Sequence, residues 1–332
     1  MSGADEEEAA AEDGFEALAR RALERYELDV VRLTLIADDW NCTFKVETAD
    51  GDTFVLRVNL PMRRSDDEIR IELAWLEDLA VASGVRVPRP MRSNEGSLFV
   101  QAEDVGVPEP RRVAVFTWIP GDRLGEDPDP RLVAGLGEGV ARLHEHGRAF
   151  QPTAGLRLWD SPFPHEDGAS LFDEANADVV QPSERAVFER AVEATREAIE
   201  RLGAADEPMR IVHGDIHQDN VLVGAAGLWF IDFDDCMLAW PVQDLGVTMW
   251  EVGEDEAASP YREALREGYE GVVPWPERWP GEIDIFAADR GLIKIGGQVH
   301  QRAGTDREEL HASVQRHAAV ISWYLERADA LR

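Results

Sequence analysis

Lysine is nearly absent from this chain. Lys45 and Lys294 are the only two among 34 cationic residues, against which stand 66 acidic residues, for a formal net charge of −32. Nucleic acids and anionic membranes share the sign of such a surface, and repulsion excludes them as partners. Dense acidity is tolerated in concentrated salt, where screening removes self-repulsion, so it suggests a halophilic source; arginine in place of lysine also fits a GC-rich genome. Cysteine is equally scarce. Cys42 and Cys236 are too few for a disulfide framework and lack metal-ligand spacing, so both are expected as reduced, partly buried thiols. No apolar run approaches the roughly 18 residues of a membrane helix, and the opening MSGADEEEAAAEDG is acidic where an export signal would be basic, so a cytoplasmic location is expected.

What is present is enough for a large core: 332 residues, 44% of them hydrophobic. A chain of this length is expected to divide into two lobes. Residues 1–14 read as an acidic flexible tail. Phe15, Leu18, Ala22 and Tyr26 have helical spacing. Val31, Leu33 and Leu35 then alternate with polar neighbours, and a hairpin follows in which Phe44 and Val46 lead into an Asp50-Gly51 turn and Phe54, Leu56 and Val58 return. Ser65 and Glu68 form a capping box ahead of a helix with Ile69, Leu73, Leu76 and Ala80 on its inner stripe. Two more strand-like runs end at Pro120-Gly121. This predicts an antiparallel-sheet lobe over 15–119 and a mainly helical lobe over 120–332, with helices from Pro130 to Gly147, Glu184 to Leu202, Val242 to Trp250, Tyr261 to Tyr269, Ile283 to Val299 and Glu308 to Leu331. The irregular stretch over 150–182, with Trp159, Phe163 and Phe172, reads as a folded loop that could act as a substrate lid.

The stretch Ile211–Asp235 carries the chemistry. Ile211-Val212, Val221-Leu222-Val223 and Leu228 to Phe233 have strand character, and a polar loop between them holds Asp215 and Asn220, with Asp232 at the close of the last strand. Phosphoryl transfer to a hydroxyl needs a carboxylate to accept the proton, an amide oxygen for a divalent cation and a second carboxylate joining the metal to the nucleotide phosphates. Asp215, Asn220 and Asp232 are those three residue types. A rival reading takes His213, Asp215, His217 and Asp219 as alternating ligands of a metallophosphoesterase, but the further ligand motifs of that fold are missing: no Gly-Asn-His follows, and asparagine occurs only at 41, 59, 94, 176 and 220. A third reading is a polar loop between core strands with no chemistry.

Glu72 lies on or beside the buried stripe of its helix and asks for a cation. Arg57 on the returning hairpin strand is the natural candidate; the alternative is an edge residue in water. A strand cation held by a helix glutamate is how kinases aim positive charge at nucleotide phosphates.

With Val-His-Gly-Asp-Ile-His-Gln-Asp-Asn-Val-Leu (212–222), Phe-Ile-Asp-Phe-Asp-Asp (230–235) and Gln-Asp-Leu-Gly (243–246), the sequence resembles the aminoglycoside phosphotransferase and choline kinase superfamily. The resemblance implies a protein-kinase-like α+β fold of two lobes with ATP and Mg²⁺ bound between them. It implies that Asp215 is the catalytic base and that Asn220 and Asp232 hold the metal. Asn41 falls in the nucleotide loop, Arg57 and Glu72 orient the phosphates, and Trp118 lies near the hinge. Asp244 would brace the catalytic loop through its backbone amides, and His213 would be structural. Two departures stand out: Arg57 replaces a lysine common among relatives, and the loop Ala37–Asn41 has no glycine. The implied activity is phosphoryl transfer from ATP to a hydroxylated small molecule. A bacterial stress-response type Ser/Thr protein kinase and a catalytically silent nucleotide-binding module are the alternatives. Asp160, Glu166, Asp167 and Asp173 would suit a cationic acceptor, although acids are expected everywhere in so acidic a chain.

Overall fold

The computed structural model describes residues 14–38, 41–59, 64–82, 84–125, 128–151, 155–163, 167–205, 208–252 and 259–332. The predicted acidic tail therefore lies almost wholly outside the described residues, as do Asp39 and Trp40 of the glycine-free loop and Glu166. The described residues group into two compact units. The first contains those up to Asp122 together with Gly155 and Trp229–Ile231, and the second contains the rest.

The first unit is built on a five-stranded antiparallel sheet, ordered β1-β2-β3-β5-β4, from β1 (Val30–Ala37), β2 (Cys42–Thr48), β3 (Thr53–Val58), β4 (Val100–Asp104) and β5 (Val107–Thr117). The predicted hairpin is β2–β3, with Phe44 opposite Leu56 and Cys42 opposite Val58. The period of two puts Phe44, Val46, Leu56 and Val58 on one buried face. They pack there with Val113 and Val115 of β5 and with Leu18, Ala22 and Tyr26 from the N-terminal helix α1 (residues 14–23) and the turn after it. Helix α2 (Asp66–Ala82) starts at the capping box: Ser65 N donates to Glu68 Oε2 (2.8 Å) and Glu68 N to Ser65 Oγ (3.2 Å). Its buried stripe, Ile69, Leu73, Leu76 and Leu79, is interrupted by Glu72, which is fully buried.

The second unit is mainly helical: α3 (Pro130–Ala149), α4 (Pro182–Ala204), α5 (Pro241–Val252), α6 (Ser259–Glu270), α7 (Glu282–His300) and α8 (Arg307–Leu331). Each predicted helix is present, and no end lies more than two residues outside its predicted position. Asp129 caps α3 by accepting from Arg131 N (2.8 Å), ahead of Pro130, as the sequence pattern requires. Gly147, which reads as the stop of that helix, is instead a packing residue. A Cβ there would sit 2.1 Å from the Ile211 carbonyl oxygen, and α3 runs on to Ala149.

Strand pairing around the catalytic stretch also differs from the sequence reading. After the two-residue β6 (Asp122–Arg123), strand β7 (Arg210–Val212) pairs with β10 (Met237–Ala239), while β8 (Val221–Gly224) turns back into β9 (Gly227–Phe230). The last strand ends at Phe230 rather than Phe233, because Asp232 adopts φ +62, a left-handed conformation no strand can hold. The 150–182 stretch is anchored in the core more firmly than a lid would be. Trp159 is 1% exposed, its backbone N donates to Leu238 O (2.9 Å), and its indole N donates to Asp289 of α7 (3.3 Å).

Candidate active site

The loop that carries Asp215 begins where β7 ends. Gly214 sits at φ +85, where a Cβ would lie 2.3 Å from the Asp235 carbonyl oxygen, so only glycine lets the chain turn here. Asp244, fully buried at the start of α5, accepts from the backbone amides of Gly214 (2.9 Å) and His213 (3.3 Å). Its Oδ2 also takes His144 Nε2 of α3 (3.0 Å), and the other ring nitrogen of His144 meets the Tyr269 hydroxyl of α6 at 2.9 Å. Burial pushes that phenol's pKa well above its ordinary value, so it stays protonated and donates to Nδ1, leaving Nε2–H for Asp244. A chain of three buried polar groups from three helices thus fixes the loop's backbone. Asp244 is the residue that the resemblance pointed to; His144 and Tyr269 are additions.

The loop delivers Asp215 with both carboxylate oxygens engaged. Oδ2 accepts from Asn220 Nδ2 (3.0 Å) and lies 3.3 Å from His217 Nε2; Oδ1 accepts from Arg290 Nη2 of α7 in a tight ion pair. His217 Nδ1 accepts from the Asp219 amide (3.3 Å), which turns Nε2–H toward Asp215. Burial works against ionisation of Asp215, but the Arg290 charge and then the His217 contact outweigh it and hold the pKa well below the usual carboxylate range. The carboxylate is therefore charged at neutral pH and presents accepting lone pairs. It is 18% exposed, enough for a ligand to reach.

Asn220 closes a short 3₁₀ turn, Gln218–Asn220, capped by His217. Its amide nitrogen is committed to Asp215 O (3.0 Å) and Oδ2, leaving the amide oxygen as the group it can offer a cation. Asp232 follows β9 with an exposed side chain and the φ of +62 already noted. Non-glycine residues in that region cost on the order of 1 kcal/mol or more and cluster at functional sites. A carboxylate and an amide oxygen are the hard donors that a small divalent cation takes. His213 and His217 do not share a face: His213 is fully buried, its ring 4.3 Å from Phe233 and its Nδ1 accepting from the Asp215 amide (3.3 Å).

The first unit holds its own cluster. Arg57 Nη2 of β3 donates to both oxygens of Glu72 (2.7 and 2.8 Å), and Arg64 Nη1 makes a second, tight ion pair with Glu72 Oε2. Arg64 Nη2 also donates to Glu68 O (3.1 Å), and the Arg57 guanidinium lies 5.3 Å from the Phe116 ring. Two arginines thus share one buried carboxylate. Asn41 leads into β2, with its Oδ1 3.5 Å from Asn59 Nδ2, and Trp118 follows β5 with Lys45 Nζ 5.4 Å from its ring centroid. Sequence reasoning missed Arg64, His217's contact with Asp215, and Arg290.

Comparisons with known proteins bear on the family and the fold. The chain matches a family model described as the phosphotransferase enzyme family over residues 32–280. It is 25% identical over 319 residues to the amicoumacin kinase of Bacillus subtilis (strain 168), covering 91% of each chain, and 31% identical over 194 residues to a homoserine kinase of Rhodospirillum rubrum, covering 54% of this chain and 55% of that one. Among solved structures, a microcompartment-associated aminopropanol kinase superposes with a TM-score of 0.80 at 24% identity, covering 96% of this chain and 99% of that one. The amicoumacin kinase hAmiN, in complex with AMP-PNP, Ca²⁺ and Ami, superposes with a TM-score of 0.75 at 20% identity, covering 98% and 96%. The fold is the α+β kinase-like fold expected from the sequence, and among the described residues no helix is long and apolar enough to cross a membrane. The chain belongs to the phosphotransferase enzyme family and is a kinase.

Proposed function

We propose that this kinase uses ATP with Mg²⁺, that Asp215 receives the acceptor's hydroxyl, and that Asn220 and Asp232 hold the metal. The observation that supports it best is the carboxylate of Asp215: a loop pinned by Asp244 presents an ionised group whose three donors fix its orientation and still leave a lone-pair site for a hydroxyl. In the transfer, a bond forms between the acceptor oxygen and the terminal phosphorus, the bond from that phosphorus to the bridging oxygen breaks, and the hydroxyl proton passes to Asp215. A carboxylate held at low basicity suits a loose transition state, where the proton leaves late and orienting the hydroxyl matters more than pulling on it. A bound divalent cation would neutralise phosphate charge. Asn220 offers its amide oxygen and Asp232 its carboxylate to that ion. In the first unit, Arg57, steadied by Glu72 and Phe116, supplies the charge for the nucleotide phosphates, with Asn41 and Trp118 as further nucleotide contacts. The complex of hAmiN with AMP-PNP and Ca²⁺ is consistent with a nucleotide and a divalent ion as ligands.

The test is calorimetry of ATP binding with and without Mg²⁺, alongside ADP release over a panel of small alcohols and protein substrates. Asp232→Ala should weaken Mg²⁺-dependent binding at least about tenfold. Unchanged affinity would move Asp232 to a structural role, and phosphate appearing on protein serine or threonine, with no small acceptor used, would favour the protein-kinase alternative.

A further inference from the structure

Trp159 touches three elements that set Asp215 in place, although the transfer just described gives it no task. It is packed in one cluster with Val212, Met237, Ala239 and Val247, and Ile293 of α7 lies against that cluster. Val212 ends β7 and directly precedes His213 of the loop. The backbone carbonyl of Trp159 accepts from Gln243 Nε2 of α5 (2.9 Å), and Gln243 is fully buried beside Asp244, which holds the loop's amides. The indole nitrogen donates to Asp289 of α7, and the next residue is Arg290, whose charge meets Asp215. Asp289 and Ile293 are one helical turn apart, so Trp159 meets one face of α7 at two points. The variable part of this joint is Asp289. Its Oδ1 has no hydrogen-bond partner among the described residues, and neither has the buried Thr195 hydroxyl of α4, the other polar group that acts on the carboxyl. Indole and hydroxyl are both neutral. The charged groups nearby are paired elsewhere: Glu251 of α5 with Lys294 (2.6 Å), Asp284 with Arg262 and Arg327 (both 3.1 Å), and Arg196 of α4 with Glu193 (2.6 Å). His300 meets Ser170 (3.0 Å) and His317 of α8 meets Ser313 O (2.9 Å). Burial accordingly pushes the Asp289 pKa up to about 7. Below that pH the carboxyl keeps its proton; above it a bare carboxylate is left in an apolar site, at a cost that water entry or a shift of α7 relieves.

On the premise that Asp215 receives the acceptor hydroxyl, we propose that Trp159 is a positioning residue for the transfer: through Asp289 it sets α7, and with it Arg290, at the distance that holds the Asp215 carboxylate, while Val212 and Gln243 tie the same residue to the loop. A displaced α7 draws Arg290 away from Oδ1 and leaves Asp215 oriented by Asn220 and His217 alone. Misplacement by about 1 Å is enough to cost about 10²-fold in rate. Arg57, Asn41 and Trp118, the proposed nucleotide contacts, belong to the first unit, so the loss falls on kcat rather than on the KM for ATP.

The test follows ADP release from Mg²⁺-ATP against pH, with 1,3-propanediol, which does not itself titrate in this range, or, if it is not turned over, water as acceptor. In the wild type kcat should fall about tenfold as pH rises through about 7. Asp289→Asn, which keeps an oxygen for the indole and cannot ionise, should hold the wild type's low-pH kcat across the range. Trp159→Phe, which keeps a ring but not the donor, should lower kcat about tenfold with the KM for ATP within about twofold. It should also move the midpoint upward, because the indole bond is what favours ionisation of Asp289 against burial. A wild-type kcat with no alkaline fall, a fall that survives in Asp289→Asn, or full kcat in Trp159→Phe overturns the proposal. Should Trp159→Phe fail to fold, the pH profile of Asp289→Asn decides alone. A second measurement does not depend on turnover: the indole N–H resonance of Trp159 should shift with the midpoint of kcat in the wild type and stay fixed in Asp289→Asn. An indole that does not titrate, or one that titrates while kcat does not, overturns the role in the transfer. Full turnover in Asp215→Asn with the indole still titrating would count against Asp215 as the acceptor-receiving group and leave the joint standing.

Discussion

Glu72 and Asp215 are both carboxylates held by arginine, one in each compact unit, and they differ in who serves whom. Glu72 is fully enclosed and gives both oxygens to two cations, Arg57 and Arg64. Asp215 is partly exposed and receives donors from Arg290, Asn220 and His217. In the first cluster the acid is a buried anchor and the cations are its product. In the second the donors orient an acid that a ligand can still reach. The lesson is that an arginine–carboxylate pair does not declare its own role; the exposure of the acid and the direction of its hydrogen bonds do.

The sharpest way to break this comparison is to neutralise each acid and read activity and stability together. Asp215→Asn should lower turnover by roughly 10²- to 10⁴-fold, the usual worth of a positioned base, with ATP affinity nearly kept. Glu72→Ala should act first on folding: it removes the acid that two buried arginines share, and breaking such a pair costs about 3–5 kcal/mol. Urea denaturation of both variants decides the matter. Should Asp215→Asn prove the less stable of the two while retaining activity, the roles assigned here would be reversed.

A third carboxylate sharpens the contrast because no arginine serves it. Asp289 of α7 is fully buried, with the Trp159 indole as its hydrogen-bond donor, and burial pushes its pKa up to about 7. Between its unfolded value of roughly 4 and about 7, the native protein keeps a proton that the unfolded chain has released. Its contribution is therefore intact below the unfolded value and is lost as pH rises toward 7. Asp289→Asn should be the more stable protein at pH 8 by on the order of 2 kcal/mol, with the difference shrinking toward zero near pH 4. Glu282, also raised to about 7 by burial, titrates in both proteins and cancels in the comparison. A difference independent of pH would mean that Asp289 is charged in the fold.

These three acids also mark how far the sequence could be read. Glu72 was legible because helical spacing sets it among Ile69, Leu73 and Leu76, and Arg57 because strand period and topology bring it there. The Ser65–Glu68 capping box was legible because it is entirely local. Arg290 was not, since it lies 75 residues from Asp215 and no period links an interior helix to a distant loop. His144 and Asp244, 100 residues apart, share that difficulty. Trp159 was misread for another reason: in an irregular stretch no alternation tells the inward side from the outward one, so a core indole was placed in a loop that could act as a substrate lid. The end of β9 escaped notice because Asp232's left-handed backbone is invisible in a run of strand-forming residues.

The smallest expected effect separates these enclosed groups from the surface. A net charge of −32 implies self-repulsion that should destabilise the fold at low ionic strength, and the Debye length falls from about 10 Å at 0.1 M to about 3 Å at 1 M. Melting temperature should therefore rise with KCl across about that range. Buried pairs are screened much less, so the gap between wild type and Glu72→Ala should stay nearly constant while both curves climb. A gap that closed with salt would mean solvent reaches the Glu72 cluster, and the contrast with Asp215 would fail. A flat wild-type curve would remove the case for adaptation to salt and leave genome composition as the better account of why arginine has replaced lysine almost everywhere.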